Sequence, residues 1–122
     1  MKLLCFAGSL RKDSYNKKFI REAMRLAQEA GAEAEFVDLK DYPMPPYDGD
    51  IESSSGIPET TKELGKKIAA ANALIISTPE YNGSMPGILK NVVDWLSRDK
   101  PVSLTGKPLL LLAASPGALG GV

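Results

Sequence analysis

A parallel α/β sandwich, with helices on both faces of a four-stranded sheet, is predicted by three features of this 122-residue sequence. Short apolar runs alternate with amphipathic stretches of helical period, the order that builds parallel sheets. Two polar, glycine-bearing phrases, Gly8–Asn16 and Pro79–Gly87, each lie where a strand ends and a helix begins. Four consecutive leucines, Leu109–Leu112, suit a strand buried on both faces with neighbours on both sides.

The elements follow in order. Residues 2–7 are an apolar run ended by Gly8 and read as a buried strand. Residues 15–30 carry Phe19, Ile20, Ala23, Leu26, Ala27 and Ala30 at helical spacing, with Gly31 as the stop. Residues 33–38 form a second strand, whose charged side chains suit a sheet edge. Residues 39–57, rich in Pro, Asp, Ser and Gly, are expected to be a long loop. Residues 58–71 form a helix opened by Pro58, with Leu64, Ile68, Ala69 and Ala71 inward. Residues 73–77 are the third strand, and residues 86–97 a helix striped with Ile88, Leu89, Val92, Val93 and Leu96. Residues 108–114 are the fourth strand, which as the last of the chain is open to a bare apolar edge.

Composition narrows the function classes. Fifteen basic residues balance 15 acidic ones, so bulk charge favours neither nucleic acid nor an anionic membrane as partner. There is no histidine and one cysteine, which excludes a His/Cys metal site, a Cys-His nucleophile and a Ser-His-Asp triad. A lone cysteine makes no internal disulfide and fits a reducing, cytoplasmic setting. Cys5, within an apolar strand, reads as a small buried hydrophobe. No run is long enough to span a membrane.

Gly8-Ser9-Leu10-Arg11-Lys12-Asp13-Ser14-Tyr15-Asn16 has the makings of a phosphate loop. A helix N-terminus offers unpaired N–H groups and partial positive charge. Ser9, Ser14 and Asn16 add side-chain donors, and Arg11 adds a planar charged fork. Neither a Walker loop nor Gly-x-Gly-x-x-Gly is present, which disfavours a nucleotide triphosphatase and a Rossmann dinucleotide site. The second phrase, Thr78 to Gly87, combines rigid prolines with permissive Gly83 and Gly87, and suits the edge of a planar ring. Together the phrases point to a phosphorylated planar cofactor, which FMN fits best.

Gly-Ser-x-Arg-x-x-Ser-x-Asn after the first strand, with Pro79-Glu80-Tyr81-Asn82 through Ser84, Pro86, Gly87, Leu89, Lys90, Asn91, Asp94 and Trp95, resembles the NADPH-dependent FMN reductase family. This is the flavodoxin-like group that includes quinone, azo-dye and chromate reductases. The resemblance covers essentially the whole chain, as one FMN-binding domain over residues 1–122. It implies a flavodoxin-like three-layer sandwich with strand order 2-1-3-4. It also implies that a helix, a fifth strand and a final helix are lacking, as in a truncated member or a fragment.

The resemblance assigns phosphate contacts to Ser9, Arg11, Ser14, Tyr15 and Asn16, and ring contacts to Pro79, Glu80, Tyr81, Asn82 and Gly83. Ser115 and Gly117 would close the far side of the ring. Trp95 is implied to be interfacial in a homodimer or homotetramer, and Tyr47 and Asp48 to approach a partner's flavin. Asp13 departs from the family, which often has Gly there. The implied activity is hydride transfer from NADPH or NADH, through flavin N5, to a quinone, flavin, azo or metal-oxyanion acceptor, with no catalytic side chain. The alternatives are an electron carrier without reductase activity and an inactive remnant.

Overall fold

The structure is a computed structural model that describes residues 1–121; Val122, the last residue of the expected domain, lies outside them. Strands β1 (Lys2–Ala7), β2 (Glu33–Val37), β3 (Ala73–Ser77) and β4 (Leu109–Leu112) form a parallel sheet in the order β2-β1-β3-β4. Cys5 stands opposite Phe36 on one side and Ile75 on the other, and Ile75 opposite Leu110. The helices are α1 (Tyr15–Glu29), α2 (Gly49–Ser55), α3 (Glu59–Ala70) and α4 (Gly87–Leu96). This is the flavodoxin-like three-layer order expected from the sequence.

The period-2 alternation of β1 and β3 builds two cores, because successive side chains leave opposite faces. Leu4, Phe6, Leu74 and Ile76 meet Leu64, Ile68, Leu89, Val92 and Leu96 from α3 and α4. Leu3, Cys5 and Ile75 meet Ile20 of α1, with half-buried Ala23, Met24 and Ala27 around them. Gly8 continues β1 by donating to the Ser77 carbonyl at 2.9 Å. A Cβ there would lie 2.5 Å from Thr78 Oγ1, so close approach of the two strand ends requires glycine.

The structure corrects five expectations. The long loop holds a 3-10 turn, Leu39–Asp41, and helix α2, capped by the Asp48 side chain on the Asp50 N–H. Segment 43–48 is tied down: Trp95 Nε1 and Asn91 Nδ2 both donate to Pro45 O, at 2.7 and 2.9 Å, and Tyr47 N donates to Asn91 Oδ1. Trp95 is therefore core, with no exposed surface and Tyr47 edge-on to it at 4.9 Å.

On α1, Phe19 and Leu26 are exposed, whereas Asn16 and Lys17 are buried. The inward polar bonds of Asn16 and Lys17 set the helix rotation, and the 3.6-residue period then carries Ile20, Met24 and Ala27 to the sheet. On α3, Ala69 is exposed and Thr61 and Gly65 are buried instead. Finally, Leu109, Leu110 and Leu111 of β4 are 53%, 53% and 60% exposed. Among the described residues β4 pairs only with β3, so its outer edge and much of both faces are bare.

Candidate functional site: a cleft at the carboxyl ends of the strands

The parallel sheet brings the loops after β1, β3 and β4 to one end, where open α/β sheets bind ligands. They enclose a cleft of about 430 Å³, lined by Ser9, Arg11, Ser14, Tyr15, Asn16, Pro79, Glu80, Tyr81, Ala114, Ser115 and Pro116. That volume falls within the roughly 300–1,000 Å³ of small-molecule sites. Of the twelve residues expected at the cofactor, nine line this cleft; Asn82, Gly83 and Gly117 do not.

On the β1 side, Ser14 caps α1. Its Oγ accepts from Asn16 N at 3.1 Å and from Lys17 N at 3.4 Å, so two first-turn donors are satisfied internally. Among the described residues the Tyr15 N–H and the Ser9 and Ser14 O–H groups have no protein acceptor. The Arg11 guanidinium lies 5.6 Å from the Tyr15 ring centroid, and Nη2 donates to Asp13 O at 3.1 Å. Both contacts hold the cation at the mouth. Asp13 itself is exposed, and its part in the loop is this carbonyl.

Behind the loop, buried Lys17 donates to Leu10 O at 3.4 Å and to Asp38 Oδ2 at 3.1 Å. Burial pushes the Asp38 carboxyl up, but the Lys40 N–H and the Lys17 ammonium outweigh it and hold it below the ordinary carboxylate range.

The β3 side is a small hairpin. Tyr81 N donates to Ser84 O at 2.9 Å, and Ser84 N returns to Tyr81 O at 3.1 Å. Asn82 (φ 53°) and Gly83 (φ 78°) occupy the turn, both left-handed, which is the type I′ arrangement. The Glu80 carboxylate accepts from Gly83 N and locks the tip. The Asn82-Gly83 dipeptide is the sequence signal of such a turn. The Glu80 and Asn82 N–H groups have no acceptor among the described residues.

The β4 side is Ala114–Pro116, reached by Asn16. The Asn16 carboxamide bonds Ser77 and Ala114, a use with no local sequence signal because the partners lie 61 and 98 residues away. A second, shallower hollow of about 620 Å³ lies along α4, between Met44, Pro46 and Tyr47 and Ile88, Asn91 and Asp94. Tyr47 thus faces this hollow, not the first cleft. Its hydroxyl donates to Glu52 at 2.6 Å, which raises the Tyr47 pKa, and Arg98 also pairs with Glu52. Among the described residues no group of three His, Cys, Asp or Glu side chains could hold a metal ion, and no helix is long and apolar enough to cross a membrane.

The fold is thus a flavodoxin-like parallel sheet whose cleft has free N–H and O–H donors on one side and a tight hairpin on the other. The family model for NADPH-dependent FMN reductases matches residues 1–122, and the chain belongs to that family. It is 38% identical over 121 residues to the quinone reductase of Escherichia coli (strain K12), covering 99% of this chain and 63% of that protein. It is 40% identical over 120 residues to the NAD(P)H-dependent FMN reductase PA1204 of Pseudomonas aeruginosa, covering 98% of this chain and 63% of that one. The solved structure of FerB, a flavoenzyme NAD(P)H:(acceptor) oxidoreductase from Paracoccus denitrificans, matches with TM-score 0.80 and 36% identity, over 96% of this chain and 62% of that one. The chain thus spans just under two-thirds of the length of these relatives.

Proposed function

We propose that the chain is a single FMN-binding domain of an NAD(P)H-dependent oxidoreductase acting on small electron acceptors, quinones among them. The observation that carries this reading is the convergence in one cleft of the Arg11 cation, free donors at the α1 N-terminus and the Pro79–Tyr81 arm of the β3 hairpin. These residues fit a phosphorylated planar group. Arg11, the Ser9 and Ser14 hydroxyls and the Tyr15 N–H would hold the phosphate. Pro79, Glu80 and Tyr81, with Ser115 opposite, would flank the ring; Asn82 and Gly83 set the shape of the hairpin that presents them.

Bound FMN supplies hydride acceptance and donation. The protein's part is to bind, orient and cover, and a cleft without a paired acid and base suits that division. The hairpin is rigid because its turn residues and the Glu80 carboxylate fix it. The guanidinium stacked on Tyr15 is held in place for an anion. A cytoplasmic location and a homodimer or homotetramer belong to the same proposal. The buried, unpaired Cys5 supports the first, and the hollow along α4 the second.

The test is an FMN titration followed by flavin fluorescence. Saturable quenching at about one FMN per chain is expected, and Arg11→Ala weakens FMN while sparing riboflavin, which lacks the phosphate. Quenching without a plateau rules out the flavin site. NADPH oxidation with a benzoquinone then separates a reductase from a passive carrier.

A further inference from the structure

We propose that Asn16 is a positioning residue whose carboxamide clamps the β4 loop to the other two loops of the cleft. This rests on the flavin reading above, in which the phosphate side and the ring side must keep a fixed spacing. Asn16 is 2% exposed. Its Oδ1 accepts from Ser77 Oγ at 2.7 Å and from Ala114 N at 3.0 Å, and its Nδ2 donates to Ala114 O at 3.1 Å. Both acceptor sites of the amide oxygen and one of the two Nδ2 hydrogens are thereby used. Only one orientation of the carboxamide satisfies both groups of Ala114.

The geometry substitutes for a missing strand partner. The ladder between β3 and β4 ends with Thr78 N donating to Leu112 O, and β3 then turns away at Pro79. Two residues further on, Ala114 presents an N–H and a C=O, and one side-chain amide meets both. Among the described residues no other hydrogen bond joins residues 113–121 to the rest of the chain. Among the described residues no further strand lies beside β4. Asn16 sits at the start of α1 and Ser77 at the end of β3, so the clamp joins all three walls of the cleft.

A phosphate ligand and a clamp differ in what they do to two flavins. Losing a phosphate contact weakens FMN and leaves riboflavin alone. Losing the clamp frees Ser115 and Pro116, and weakens both by the same factor, roughly tenfold for a bidentate buried contact. The first arm is amide hydrogen exchange on the flavin-free chain. Asn16→Ala is expected to abolish protection of the Ala114 amide while β1 and α3 stay protected. The second arm is titration of FMN and riboflavin into wild type and Asn16→Ala, with Arg11→Ala as the phosphate-selective comparison.

Unchanged Ala114 protection, or a loss confined to FMN, overturns the proposal. Should Asn16→Ala not fold, Ser77→Ala decides. It removes one bond to the carboxamide, and a smaller but equal loss for both flavins is expected. No loss, or one restricted to FMN, overturns the clamp. If wild type binds neither flavin, the flavin reading fails, and the exchange arm still decides whether the clamp holds the loop.

Discussion

The Lys17–Asp38 pair offers a sharp test, because its two halves are unequally buried. The Lys17 side chain is 4% exposed and the Asp38 side chain 27%, with Nζ and Oδ2 3.1 Å apart. At an effective dielectric near 20 the gross attraction is about 5 kcal/mol before desolvation is subtracted. Lys17→Met removes the buried ammonium and leaves Asp38 half solvated and still accepting from Lys40 N at 3.0 Å. Its expected cost is about 1 kcal/mol, as for an exposed pair. Asp38→Asn leaves the ammonium buried without a counter-charge, which should cost about 3 kcal/mol, the low end for breaking a buried pair.

The double variant should recover most of that difference, since it buries no charge. Urea unfolding followed by fluorescence of Trp95, the single tryptophan, measures all three. Equal costs for the two single variants, or strict additivity in the double, would refute the reasoning. The pH sign follows from the depressed Asp38 carboxyl. Its contribution is fully present above the unfolded carboxylate pKa of about 3.9 and is lost as pH falls through the lower folded value.

Two further outcomes are expected. Gly8→Ala places a Cβ 2.5 Å from Thr78 Oγ1 and 3.2 Å from Leu89 Cδ2, an overpacking that should cost about 1–3 kcal/mol in the same urea assay; a cost below about 0.5 kcal/mol would mean that Thr78 gives way freely. Burial pushes the Cys5 thiol up to about 11, so iodoacetamide at pH 8 should label the folded chain only through unfolding; labelling at the rate of a free peptide thiol would show that β1 is open.

The strands were legible because a buried parallel sheet leaves short apolar runs, and the crossovers leave amphipathic stretches; their order was legible only through the family resemblance. Helix α2 was not legible because Asp48 caps it within a stretch dominated by Pro, Ser and Asp. The residues around the cleft were legible as phrases because each wall of the cleft is one contiguous loop. The use of Asn16 was not, since its partners Ser77 and Ala114 belong to loops distant in sequence. The resemblance implied an interfacial Trp95, and only the path of Pro45 across α4 supplies the acceptor that lets its Nε1 be buried.

Periodicity, turn residues and the two glycine-bearing phrases determine, from the sequence alone, the α/β class and the loops that form the cleft. These are local properties, set within a few residues of chain. Tertiary structure alone decides which polar groups remain free. Ser14, Asn16, Lys17 and Glu80 all carry bonding capacity in the sequence, and the fold commits much of it to partners inside the protein. A buried donor or acceptor must be satisfied by whatever the packing brings within about 3 Å, and that neighbour is fixed by the assembled sheet rather than by the adjacent residues.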